Sequence, residues 1–195
     1  MKATLAFLPL VLAGSPIMAQ QLSFKAAEPD PAAIRIMDLY ARCAVGRDPK
    51  EAARIVASDY DTHSYRAEIR RFAMQQKGCV PRAGSLTFQP VIFAGMMAED
   101  LMRRRHVDIS ALDHMPAPPT PNGVIACVVR TQSAKVSDLF RTLPASSGEA
   151  IAITRLQGVV ADCLPREQAP ITNKVILRAQ LALVSYRFVA FNNEL

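Results

Sequence analysis

The apolar positions of the chain recur mainly at helical spacing, in two runs of helices separated by a proline-rich stretch. Asp30-Pro31 opens the first helix, with Asp as N-cap, Pro at the first helical position, and Ile36, Tyr40 and Cys43 along one face. Asp48-Pro49-Lys50-Glu51 opens a second, because Asp at the cap and Glu three residues on can satisfy each other's orphan amides. A third spans about 64–77, where Tyr65, Ile69, Phe72, Ala73 and Gln76 trace a stripe and Gly78 suits a left-handed C-terminal turn. A fourth covers about 89–105. The later run predicts helices over about 121–131, 133–142, 147–162 and 172–192, with Ser146 and Glu149 as another capping-box pair. Residues 123–129 and the pair Val159-Val160 are β-branched enough to compete for strand, but no segment alternates over a strand's length. The expected fold class is all-α.

The two runs correspond. Cys79-Val-Pro-Arg82 and Cys163-Leu-Pro-Arg166 lie 84 residues apart, and the same offset carries Cys43 onto Cys127. It also superposes Ile69 on Ile153, Arg71 on Arg155, Val91 on Val175, Ala98 on Ala182 and Arg103 on Arg187 without a gap. Ala52, Ile55 and Val56 fall on Val136, Leu139 and Phe140, both sets spaced as one helix face requires. This predicts two tandem repeats of about four helices each. The divisions expected are a signal peptide over 1–19, repeat 1 over 20–105, a stiff Pro-rich linker over 106–120 largely without helix, and repeat 2 over 121–195.

The N-terminus changes the picture of the compartment. Lys2, an apolar run from Leu5 to Ala13, a Gly14-Ser15-Pro16 break and Ala19 before Gln20 have the order of a secretory signal peptide. Nine apolar residues are too few to cross a hydrocarbon core, which needs roughly 20 in a helix. The expected location is therefore the periplasm or outside the cell, with no transmembrane segment after cleavage. Of the 195 residues, half are hydrophobic, so the chain can bury a core, and its net charge is +6. That excess favours an anionic surface but is too dispersed to indicate nucleic acid.

Four cysteines in an exported chain point first to disulfides. Of the three possible pairings, a duplicated unit that bonds within itself selects Cys43 with Cys79 and Cys127 with Cys163. Closing a 37-residue loop stabilises by about 4 kcal/mol on the chain-entropy model. No Cys-x-x-Cys spacing supports a metal or redox site. Pro81 and Pro165 then end helices just past a bonded cysteine. Arg82 and Arg166 either cap the carbonyls of those helix ends or present equivalent guanidinium groups to an anion. Arg103, Arg104 and Arg105 form a basic run at a helix C-terminus, either a solvated end or a contact for anionic lipid.

Other reactive residues form no recognised constellation. Met96, Met97, Met102 and Met115 with His106 and His114 could suggest copper, but Met97 aligns with Leu181 as a core position and the histidines lack paired spacing. Ser64 beside His63, and Ser110 near Asp113 and His114, stand in no nucleophile elbow, and no phosphate loop or HExxH occurs. No catalytic residue, metal or cofactor is assigned.

With Cys43 near the end of a first helix, the Cys79-Val-Pro-Arg stretch, and a helix running through Val91, Ile92, Ala98 and Glu99, all repeated, the chain resembles small secreted alphaproteobacterial proteins of uncharacterised role with a duplicated helical Cys…Cys unit. The second copy departs from the first in having Leu183 where the first has Glu99. The resemblance implies a structural plan and no chemistry. The expected function is an exported helical module that binds a protein or an anionic envelope surface. An envelope chaperone or inhibitor is the alternative, and an enzyme is the least supported.

Overall fold

The fold was analysed in a computed structural model, which describes residues 30–58, 62–79, 89–118, 123–165 and 173–193. Among them are eight α-helices and no strand: α1 (Pro31–Arg47), α2 (Pro49–Ala57), α3 (His63–Gln75), α4 (Pro90–Arg104), α5 (Gly123–Thr131), α6 (Ser133–Arg141), α7 (Ser147–Cys163) and α8 (Lys174–Asn193). Two short 3₁₀ stretches, Lys77–Cys79 and Ile109–His114, complete them. The β-branched residues 123–129 and 159–160 are thus helical, because burial against other helices overrides local preference.

Side chains set most helix starts. Asp30 accepts from the Ala32 amide at 2.9 Å, and Asp48 from the Glu51 amide at 3.1 Å. Thr62 caps α3 through the Tyr65 amide, and Asn173 takes the amides of Val175 and Ile176 ahead of α8. The two expected capping boxes close on one side only. Glu51 turns to Arg54, while Glu149 accepts from the Ala145 amide instead of that of Ser146. Gln89 of α4 and Gln132 of α6 provide no side-chain cap.

Three local expectations are corrected. Ile36 is 42 % exposed, since α1 buries Ile34, Met37, Ala41 and Ala44 instead. Gly78 is not left-handed: after Gln76 the chain tightens into the 3₁₀ turn that brings Cys79 to Cys43. The segment after α4 is not free of helix, because Asp108 caps residues 109–114 and Ile109 and Leu112 are buried against α5 and α6. The left-handed residue at a helix end is His106 (φ 52°). It closes α4 with the Val107 amide on the Met102 carbonyl and its own amide on that of Arg103.

The disulfides are Cys43–Cys79 and Cys127–Cys163, with Cα atoms 5.7 and 5.9 Å apart. The first ties α1 to the end of α3 and the second α5 to the end of α7. Such bonds persist in oxidising compartments, which points to an extracytoplasmic location. No helix among the described residues is long and apolar enough to cross a membrane. One apolar core runs through all eight helices and the second 3₁₀ stretch. At its centre lie α4, buried continuously from Ile92 to Met102, and α8, buried almost throughout from Leu177 to Val189.

The most extensive helix–helix interface is α4 against α8. The two cross where Gly95 meets Ala179, and a Cβ on residue 95 would fall 2.4 Å from the Ala179 Cα. These residues are themselves 84 apart. So are the starts of α2 and α6, of α3 and α7, and of α4 and α8. Beyond α2 and α6, Ser58 and Thr142 each donate a hydroxyl to the carbonyl three residues back. Their own carbonyls are taken by arginines of α8, Arg187 and Arg178 respectively.

A methyl group in an exposed helix should stabilise relative to Gly, by about 1 kcal/mol. We predict that gain for Gly158→Ala in α7, where no atom lies within 4 Å of the new Cβ. Gly95→Ala should reverse the sign and cost about 1–3 kcal/mol by forcing the helices apart. Denaturant midpoints of the two variants check this contrast.

Candidate functional site

Two polar features stand out, one buried and one exposed. Burying α4 and α8 on all sides also buries their charged residues, and Glu99 (5 % exposed) faces Arg178 (4 % exposed). Arg178 donates Nε–H and an Nη2–H to the two oxygens of Glu99, both at 2.7 Å. Nη1 reaches Glu149 Oε1 at 2.9 Å and Thr142 Oγ1 at 3.1 Å, and Nη2 also reaches the Thr142 carbonyl at 3.0 Å. All five guanidinium N–H groups are used, so nothing is left to donate to a ligand. Burial alone would lower Arg178, but the carboxylates of Glu99 and Glu149 outweigh it and hold it above the ordinary arginine value. Burial pushes Glu99 above the usual carboxylate range against the pull of Arg178. Buried Asp38 pairs with Arg42 at 2.7 Å, and its charge adds to the upward push on Glu99.

The exposed feature is α3. Tyr65, Ile69, Phe72 and Ala73 face the core, which turns Arg66, Arg70, Arg71, Met74 and Gln75 outward. Glu68, the only acidic residue of the helix, is engaged by Arg54 of α2 at 3.2 Å. Arg66, Arg70 and Arg71 have no carboxylate partner among the described residues, and Met74 stands 71 % exposed between them and Lys77. The guanidinium of Arg47 lies against Gly78 and extends the basic area. Like charges one turn apart, as Arg66 and Arg70 are, cost roughly 0.2–0.5 kcal/mol. The face of α7 that stands 84 residues on carries Ala150, Ile151, Thr154, Arg155 and Gly158, a single charge.

The residues singled out from the sequence are placed as follows. Arg82 and Arg166 lie outside the described residues, as do residues 1–29 with the expected signal peptide. Arg103 and Arg104 both bind Asp100, at 2.9 and 2.6 Å, and Arg104 reaches the Arg42 carbonyl; Arg105 is exposed at the end of α4. Met96, Met97 and Met102 are in the core, and His114 lies 3.4 Å from Asp113 on the surface. Ser110 donates its hydroxyl to Asp108 and Ser64 to Thr62. No group of three metal-ligating side chains occurs among the described residues. Neither the buried cluster nor the α3 face was singled out from the sequence. Glu99-Asp100 and Arg178 inside apolar runs signal the first, and Arg-x-x-x-Arg-Arg around one Glu signals the second.

No known protein family, curated protein or solved structure matches the chain. What stands of the resemblance noted above is a helical protein with two disulfides.

Removing one partner of a buried pair strands the other. We predict that Arg178→Met costs about 3–5 kcal/mol, and that Glu99→Leu with Arg178→Met recovers much of it. In Arg178→Met, Glu99 loses its counter-charge and its folded pKa rises further above the unfolded value. The neutral form then carries the stability, which is full below the unfolded carboxylate pKa and lost as pH rises through the folded one. Urea unfolding at pH 4 and pH 8 should therefore show the larger deficit at pH 8.

Proposed function

We propose that the protein is an exported, tandemly duplicated helical module that binds an anionic surface of the cell envelope through the outer face of α3. The observation that carries this reading is the cluster Arg66, Arg70 and Arg71 with Lys77. It is held outward on a helix whose end is clamped by a disulfide; its three arginines have no carboxylate partner among the described residues, because the one acid of the helix, Glu68, is engaged by Arg54. A sequence optimised for stability alone spaces opposite charges at such positions; mutual repulsion left in place is expected where a partner supplies the counter-charge. The exposed Met74 at the centre of the face suits the boundary between headgroups and acyl chains, where an apolar tip is flanked by cations.

Duplication accounts for helix starts that recur at 84 residues, for the two equal disulfide loops, and for the meeting of Gly95 with Ala179. In this reading one copy kept an α7 face with a single charge, Arg155, and the other acquired the binding face. Disulfides and the expected signal peptide both suit export.

Each basic residue near an anionic leaflet contributes about 1 kcal/mol. Vesicle flotation should therefore show binding to phosphatidylglycerol-containing vesicles, little binding to pure phosphatidylcholine, and weakening with salt. Arg66→Ala, Arg70→Ala and Arg71→Ala together should reduce partitioning about 100-fold. Equal flotation with neutral vesicles, or a triple variant that floats like the parent, would refute the reading.

A further inference from the structure

Two grooves occupy matching places, one beside the start of α4 and one beside the start of α8. The first is lined by Tyr65, Arg66, Arg70, Gln89, Val91 and Gln180, together with Pro90. The second shares four positions with it at the offset of 84, Glu149, Ala150, Lys174 and Val175, and is otherwise lined by different residues, Pro31 and Ile34 of α1 among them. The second groove has an internal use: Glu149 faces inward to Arg178, and one base and one acid balance its charge. The first contains two arginines and no acid. Neither Arg66 nor Arg70 has a partner among the described residues, and both are exposed along the groove.

Two further groups give the groove its chemistry. Gln89 makes no side-chain cap to α4, Pro90 has no N–H, and the amides of Ile92 and Phe93 are taken by the Gln89 carbonyl. The α4 terminus thus adds its partial positive charge to that of the arginines. Oε1 of Gln180 is buried without a hydrogen-bond partner, an acceptor in an otherwise cationic site. A lone carboxylate would use neither the second arginine nor this acceptor. A phosphate ester whose alcohol part carries a free hydroxyl uses all of them: the anionic oxygens take the guanidinium N–H groups, and the alcohol hydroxyl donates to Gln180 from beyond the reach of a bare phosphate. The groove encloses about 340 Å³, room for a headgroup-sized ligand.

We propose that this groove is a discrete site for a phosphoglycerol-type group, with Arg66 and Arg70 as its anion-binding residues and Gln180 as its hydroxyl acceptor. The inference rests on the reading of α3 as the binding face but demands more than diffuse charge. Both a lipid headgroup and a soluble glycerol phosphate carry this chemistry.

The test uses the mature protein with both disulfides intact, titrated with glycerol 3-phosphate, with inorganic phosphate and with neutral glycerol at constant ionic strength, followed by NMR amide shifts. Glycerol 3-phosphate should saturate and should bind more tightly than phosphate, while glycerol should not bind. Arg66→Gln with Arg70→Gln should weaken it at least about tenfold. Arg71→Gln with Lys77→Gln removes the same charge outside the groove and should weaken it less than about threefold. Gln180→Met should erase the preference over inorganic phosphate. If glycerol 3-phosphate displaces the protein from phosphatidylglycerol vesicles, the site takes the lipid headgroup; saturable binding without displacement assigns a soluble ligand. Non-saturating shifts, or equal weakening by the two double variants, would overturn the proposal while leaving vesicle binding by diffuse charge intact.

Discussion

At the centre of the core α4 and α8 cross in close backbone contact, and the other helices pack around that crossing. With no side chain on Gly95 and only a methyl on Ala179, the two backbones come nearer than larger residues allow. Pressed that closely together, with α4 also covered by α1, α2 and α3 and α8 by α2, α5 and α6, the two helices have little face left for solvent. Their charged residues must then find partners inside the protein, since an isolated buried charge costs several kcal/mol. Glu99 and Arg178 find each other, Glu149 completes the guanidinium shell, and Arg187 takes the carbonyl of Ser58.

That cluster is an expensive way to fill a core, and the chain contains the cheaper one. The positions 84 residues from Glu99 and Arg178 are Leu183 and Ala94, both fully buried and apolar. The two sides of the crossing therefore differ, one held by charge and one by packing. Apolar contacts tolerate a helix sliding by a turn, whereas a guanidinium with all five N–H groups engaged fixes the rotation and register of α8 on α4. Arg178 also reaches the end of α6 and the first turn of α7, so the register of one interface is passed to two further helices. Outside this frame the disulfides hold α3 and α7 by their ends, which lets α3 turn an outward face that its own charges oppose.

Much of this was legible in the chain where local chemistry decides it. Asp30, Asp48, Thr62 and Ser146 are strong N-caps, and a prolyl residue at the first helical position marks three starts. The disulfide pairing followed from the offset of 84. What tertiary packing decides was less legible. The choice of Ile34 and Met37 over Ile36 as the inward stripe of α1 depends on where α4 lies. Gly78 looked like a left-handed terminator, yet α3 ends in a 3₁₀ turn that carries Cys79 to Cys43, and a left-handed helix end is found instead at His106, after α4. The ion cluster joins residues 79 and 29 positions apart, a pairing no local pattern reveals. The α3 face was written in the sequence as Arg-x-x-x-Arg-Arg, but that these arginines stay without a carboxylate depends on Arg54 of α2 reaching Glu68.

The α4–α8 crossing makes one cooperative core out of two disulfide-bonded halves. Native-state hydrogen exchange measured across a denaturant series tests it most directly. The slowest amides should lie in both α4 and α8 and share a single opening free energy equal to that of global unfolding. Two separate opening energies, one for α1 to α4 and another for α5 to α8, would contradict it.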